Sequence, residues 1–309
     1  MSSQWMEVKV ETDPESAESV ADLFQRFGHQ GVLIEREGFA FEVWEEDVPP
    51  PTKYIVRAYF PLDERTSDIK QQIQDALRYL NMIQPVGEAV FSTLDEQDWA
   101  EAWKKHYQPL RVGQHLLIRP RWITDLEIEP EDIVISLDPG MAFGTGTHPS
   151  TQLCLEATEE LQKNRPSLRV LDLGCGSGIL SIAAAKLGAV EVVALDTDPI
   201  AVKTTIENAE ENNVSEQIQA LKGSLETVLR SARRFDIALV NILAKVIIQM
   251  CDQGLGQILR PGGIGVFGGI ITEQAEEVET ALRQTGLEPY KRRISGEWVV
   301  IEARRPIEK

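Results

Sequence analysis

The sequence predicts an α/β protein in two parts: a seven-stranded, mostly parallel sheet with helices on both faces, preceded by a smaller α+β module. Three observations lead there. From residue 169 onward, near-continuous apolar runs alternate with helical stretches, the texture of strands buried on both faces. Upstream, the strands alternate polar and apolar residues at period two around two amphipathic helices. Finally, 309 residues exceed what one compact core usually serves.

The first strand is expected at residues 5–10, where Met6, Val8 and Val10 alternate with Glu7 and Lys9. Asp13 then supplies a capping carboxylate and Pro14 a preset first helical position, with Val20, Leu23, Phe24 and Phe27 at helical spacing until Gly28. Strand-like runs follow at 31–34, 39–43 and 53–60, then a helix carrying Ile69, Ile73, Leu77 and Leu80 on one side, then a strand at 89–92. Two helices covering one face of such a sheet predict a ferredoxin-like sandwich over residues 1–93, elaborated by an acidic, proline-rich loop at 45–51. Trp99, Trp103 and Tyr107 recur at four-residue steps until Pro109 stops the helix, so residues 94–113 read as a connector helix and hinge. Interdomain packing is favoured over substrate stacking for that aromatic row.

The larger domain is assigned to residues 114–309. Strands are expected at 170–173, 190–195, 218–221, 235–240 and 264–267, helices at 179–187, 199–212, 244–259 and 273–284, and two closing strands at 287–294 and 298–303. A net charge of -18, from 31 basic against 49 acidic residues, argues against a chain built to grip bare nucleic acid. Cys154, Cys175 and Cys251 have no metal-ligand spacing and suit free thiols in a reducing compartment. No apolar run is long enough to span a membrane, so cytoplasmic residence without membrane attachment is expected.

Chemistry concentrates where strand meets helix. Leu171-Asp172-Leu173-Gly174-Cys175-Gly176-Ser177-Gly178 runs from a strand through three alternate glycines into a helix, whose first amides are expected to point outward at a polar or anionic ligand. Tight packing alone is the plain alternative for such glycines. Asp196 follows about 20 residues later, at the end of the second strand, where a carboxylate can accept both ribose hydroxyls. Its ordinary alternative is capping the helix at Pro199. Together the two features describe an adenosine pocket at the carboxyl edge of the sheet. Two more segments face the same edge: residues 138–151, DPGMAFGTGTHPST, feeding a helix, and Asn241-Ile242-Leu243-Ala244 after the fourth strand.

Glycines spaced G-x-G-x-G behind Asp172 resemble motif I of class I S-adenosylmethionine methyltransferases, a Rossmann-like fold, whereas a dinucleotide enzyme wants G-x-G-x-x-G. The closing pair of strands is similar too, since in that superfamily the last strand inserts antiparallel. One departure is Gly223-Ser224-Leu225, standing where many members carry an aspartate for the adenine amine. The 138–151 segment resembles the DPG-x-AFGTGTHP-x-T signature of the PrmA family, which methylates amino groups of bacterial large-subunit ribosomal protein number eleven. That resemblance implies S-adenosylmethionine as cofactor, with Thr151, Gly174, Gly176, Asp196 and Asn241 around it and Phe143 and Thr145 shielding its methionine end. It also implies Asn241, with the Ile242 backbone, as the group that meets the nucleophilic nitrogen. His148 is a conceivable base but ranks below its use as a helix cap.

The implied reaction is N-methylation of lysine side chains, the N-terminal α-amine, or both, on that basic protein partner, with no direct nucleic-acid binding. Alternatives are methylation of another protein amine or a small metabolite, a nicotinamide dehydrogenase, and a non-catalytic adenosine-binding assembly factor. Lys291, Arg292, Arg293, Arg304 and Arg305 form local basic spots that read as solvated strand edges.

Overall fold

In the computed structural model the chain divides into two units, Met1–Gln108 and Pro109–Lys309. The structure describes residues 4–25, 32–36, 53–82, 85–95, 108–137, 146–163, 165 and 167–307. The first unit contains β1 (Gln4–Thr12), α1 (Pro14–Gln25), β2 (Val32–Arg36), β3 (Tyr54–Pro61), α2 (Thr66–Asn81) and β4 (Val90–Asp95). Its sheet has the order β2-β3-β1-β4 with antiparallel neighbours, the arrangement expected of a ferredoxin-like sandwich. Period-two alternation sends Met6, Val8, Val10, Val56, Ala58 and Phe60 to one face, where they bury against Val20, Phe24, Ile73 and Leu77 of the helices. Asp13 caps α1 as expected, its Oδ1 accepting from Ser16 N at 2.8 Å. The strand expected at 39–43, the 45–51 loop and the aromatic row Trp99, Trp103 and Tyr107 lie outside the described residues.

The second unit opens with a three-stranded sheet that the sequence reading did not foresee: β5 (Leu110–Val112), β6 (Leu116–Pro120) and β7 (Ile133–Leu137). Residues 109–113, expected as part of a hinge, are therefore mostly strand. The turn that follows is held by Glu159, whose carboxylate accepts from Gln114 N at 2.7 Å and His115 N at 2.8 Å.

Next come α3 (Pro149–Gln162), β8 (Arg169–Leu173), α4 (Ile179–Lys186), β9 (Glu191–Asp196), α5 (Pro199–Glu211), β10 (Ile218–Lys222), α6 (Leu225–Ser231), β11 (Phe235–Asn241), α7 (Ala244–Asp252), β12 (Leu259–Ile271), α8 (Ala275–Gln284), β13 (Glu288–Ser295) and β14 (Trp298–Arg304). The sheet order is β10-β9-β8-β11-β12-β14-β13, parallel from β10 through β12, with β14 inserted antiparallel between β12 and β13. Both faces are dry. Val170, Ile237 and Leu239 bury under α3, α4 and α5, whereas Leu171, Leu173, Ala238 and Val240 bury under α6, α7 and α8. All three cysteines are buried free thiols.

One helix ends earlier than expected. The helix read over 244–259 stops at Asp252, because Gly254 adopts φ +97° and the chain continues as a short 3-10 turn, Leu255–Ile258. α6 was not anticipated. It buries only Leu225 and Val228, too short a stripe for helical periodicity to register.

Asn212, at the end of α5, ties the helix to the strand that leads into the 138–151 segment. Its Oδ1 accepts from Ser136 N at 2.9 Å, and its Nδ2 donates to Ser136 O at 2.7 Å and to Asn208 O at 2.8 Å. All of these groups are buried, so Asn212→Ala strands both backbone groups of Ser136. The expected loss is about 2–4 kcal/mol of unfolding free energy, read by urea denaturation. An unshifted urea midpoint would show that Ser136 finds other partners.

Candidate active site

The carboxyl ends of β8, β9, β11 and β12 and the first turn of α3 converge on one region of the second unit. The glycine-rich turn after β8 has Gly174, Gly176 and Gly178 at φ +84°, +53° and +81°, which explains the alternate spacing. At Gly174 a Cβ would also sit 2.4 Å from Ile242 Cγ2. The missing side chain thus lets the turn lie against the segment after β11.

The amides of this turn precede the first amides of α4 and find acceptors within the protein. Gly174 N and Cys175 N donate to Leu195 O at 2.8 and 3.0 Å, Gly178 N donates to Cys175 O at 2.8 Å, and Gly176 N donates to Asp196 Oδ2 at 3.0 Å. Four amides are spent within the protein, so the turn offers shape rather than an anion-binding crown. Its carbonyls are held from below by α5: Thr205 Oγ1 donates to Gly176 O at 3.0 Å and Asn208 Nδ2 to Ser177 O at 2.8 Å. Both side chains are buried.

Asp172, beneath the turn, is 1% exposed and accepts from Ser181 Oγ at 2.6 Å, while its Oδ1 has no partner among the described residues. Burial pushes its pKa up to about 6, against the hydrogen bonds from Ser181 and with help from the nearby Asp196 charge. A carboxyl whose folded pKa is raised stabilises the fold only while it stays protonated. Its contribution is complete below the unfolded value near 4 and is lost as pH climbs through about 6, a change of about 3 kcal/mol. Asp172→Asn removes that dependence. The ligand-free variant is expected to melt progressively higher than wild type between pH 4.5 and about 7.5; a gap independent of pH would argue against a protonated native Asp172.

Asp196 ends β9. Its Oδ1 accepts from Asp198 N at 3.0 Å and its Oδ2 from Gly176 N, and each oxygen keeps a further lone pair. The capping duty ahead of Pro199 belongs to Asp198, whose Oδ1 accepts from Ile200 N at 2.8 Å. That frees Asp196 for another use. Ser224 stands at the N-cap of α6, its backbone N donating to Thr227 Oγ1 at 3.2 Å.

Asn241 ends β11, the central strand, in register with Gly268 of β12. Its Oδ1 accepts from Ser150 Oγ at 2.5 Å and its Nδ2 donates to Thr151 Oγ1 at 3.3 Å. Ser150 Oγ in turn accepts from Gly269 N at 2.6 Å. The first turn of α3 thereby meets the ends of β11 and β12. His148 caps α3, its Nδ1 accepting from Ser150 N at 3.2 Å, with its ring edge-on to Trp298 at 4.3 Å between centroids. Burial lowers its pKa, so the imidazole is neutral with the proton on Nε2. The nitrogen that would act as base is already engaged as the cap.

Thr151, Gly174, Gly176, Asp196 and Asn241 are therefore gathered at one edge of the sheet, whereas Phe143 and Thr145 lie outside the described residues. Sequence reading missed Ser150, Gly269, Thr205 and Asn208. The Gly268-Gly269 pair inside a strand was a readable signal of close backbone approach. Among the described residues no group of His, Cys, Asp and Glu can hold a metal ion, and no helix is long and apolar enough to cross a membrane.

The profile of the family described as ribosomal protein L11 methyltransferase (PrmA) matches residues 4–306. A protein of that name from Herpetosiphon aurantiacus is 42% identical over 326 residues, covering 98% of this chain and 100% of its own. A second, from Chloroflexus aurantiacus, is 40% identical and covers 98% and 99%. Among solved structures, a ribosomal protein L11 methylase from Lactobacillus delbrueckii subsp. bulgaricus is similar, with 31% identity and a TM-score of 0.58, over 65% of this chain and 100% of that one.

Proposed function

The chain belongs to the family of ribosomal protein L11 methyltransferases, and on that premise we propose how its site transfers methyl groups to amines of L11. The observation that carries the reading is Asn241, fixed at the end of the central strand between Ser150 and Thr151 and next to the glycine turn. The residues present suit S-adenosylmethionine. Asp196 retains lone pairs for a ribose, and the spent amides of the turn suit a ligand without phosphate. Thr151, Phe143 and Thr145 complete the proposed pocket. When bound, the cofactor supplies an electrophilic sulfonium methyl group.

The protein's share of the catalysis is then mainly alignment. Holding an amine in line with its target lowers the barrier by about 7–11 kcal/mol for well-oriented partners, with no covalent enzyme intermediate. A lysine must first be deprotonated. At pH about 7.4 that costs roughly 4 kcal/mol for a side chain of pKa about 10.4, against less than about 1 kcal/mol for an α-amine. Both can lose the proton in bulk water. Asn241 offers a neutral oxygen to an N–H of the uncharged amine, whereas a carboxylate there would stabilise the ammonium and oppose reaction. The engaged Nδ1 of His148 supports proton loss before capture rather than on the enzyme.

We further assign residues 1–93 to substrate recognition and residues 94–108, ahead of β5, to the connector. Lysine side chains, the N-terminal α-amine, or both are the acceptors. The net charge of -18 favours a free, basic protein over nucleic acid, which supports a reaction before assembly on RNA. Cytoplasmic residence away from membranes is part of the same proposal. Mass spectrometry of purified L11 after incubation with labelled S-adenosylmethionine tests the reading. Methyl mass gained on L11 amines supports it, and an unmodified substrate overturns it.

A further inference from the structure

We propose that Ser150 is a positioning residue that determines which end of the Asn241 carboxamide meets the reacting amine; this rests on the catalytic reading of Asn241 above. Ser150 is 1% exposed at the second position of α3. Its hydroxyl has one proton to give. The Gly269 amide, 2.6 Å away, can only donate, so Ser150 Oγ accepts there. Toward Asn241, at 2.5 Å, the hydroxyl gives its proton, and it has no other acceptor among the described residues. The carboxamide oxygen therefore faces Ser150 and the nitrogen faces Thr151.

An asparagine amide is nearly symmetric in shape, and a half-turn exchanges an acceptor for two donors. The two orientations have opposite chemistry for methyl transfer. An acceptor holds an N–H of the amine and leaves its lone pair free to attack, whereas a donor engages the lone pair and blocks it. Ser150 removes that ambiguity. It is itself held in place by the glycine pair of β12. A Cβ on Gly268 would lie 2.6 Å from Asn241 Oδ1 and 3.0 Å from Ser150 Oγ, and one on Gly269 would lie 2.1 Å from Ile242 O. Gly269, at φ +76°, thus aims its amide at Ser150 while its bare Cα lies against Ile242 O.

The test measures kcat and KM for L11, calorimetric affinity for S-adenosylmethionine, and melting temperature for wild type, Ser150→Ala, Ser150→Thr and Asn241→Ala. Ser150→Ala is expected to lose about 10- to 100-fold in kcat, with KM and cofactor affinity within roughly threefold. Ser150→Thr, which restores the hydroxyl, is expected to return turnover to within about fivefold of wild type. If Ser150→Ala does not fold, Ser150→Cys takes its place, keeping the volume but weakening the donor. Normal kcat in the hydroxyl-free variant with an inactive Asn241→Ala overturns the role of Ser150 alone. Wild-type turnover in Asn241→Ala overturns the catalytic reading and this inference with it. Equal losses of kcat and cofactor affinity that threonine does not repair reduce Ser150 to a structural part of the helix end, and also overturn it.

Discussion

Asn241→Ala is expected to lower kcat by about two to three orders of magnitude while cofactor affinity changes by less than about tenfold. The side chain ends the central strand and is only half-buried, so truncation leaves the sheet intact, at a cost of about 1–3 kcal/mol for the buried Ser150 hydroxyl left without its acceptor. What disappears is the neutral acceptor proposed to face the incoming nitrogen, together with the partner of the Ser150 hydroxyl. Asn241→Asp supplies a sharper comparison. A carboxylate at this point raises the pKa of the bound amine, so residual activity should shift to higher pH than wild type. Steady-state kinetics across pH check both variants. Wild-type turnover in Asn241→Ala, or an unshifted profile in Asn241→Asp, would remove Asn241 from the chemistry.

Asp196→Ala should instead act on binding. Two hydrogen bonds from ribose hydroxyls to a carboxylate contribute about 1.5–3 kcal/mol each, so losing both weakens the cofactor by roughly 10²- to 10³-fold or more. The same change releases Gly176 N and Asp198 N, which loosens the glycine turn as well. Asp196→Asn keeps an acceptor oxygen and should fall between the two. Isothermal calorimetry reads the difference directly. An affinity within about threefold of wild type would mean that the ribose is held elsewhere.

The parts of this protein that could be read in advance are those where physics restricts the residue type locally. Strands buried on both faces must be largely apolar, which is why β8, β9 and β11 stand out as near-continuous runs. Glycines at alternate positions mark backbone with positive φ, and a carboxylate at a strand end or an asparagine after the fourth strand signals polar chemistry where packing would not ask for it. The unread parts depend on partners far away in sequence. Ser150 meets Asn241 across 91 positions and Gly269 across 119, and no local pattern encodes either pairing. The acceptors of the turn amides, Leu195 and Asp196, likewise arrive from the neighbouring strand. β5 and α6 are simply too short for periodicity to separate from loop.

Thr205, Asn208 and Asn212 lie along one stripe of α5, at steps of three and four residues. The helix acts as a ruler: the glycine-rich turn hangs from its middle, and the strand entering the 138–151 segment hangs from its end. Deleting one residue between 205 and 212 turns everything beyond it by about 100° and slides it about 1.5 Å, carrying one attachment off its mark. Substitutions on the outer side of α5 leave the measure untouched. Drift in this helix should therefore be tolerated in composition but not in length.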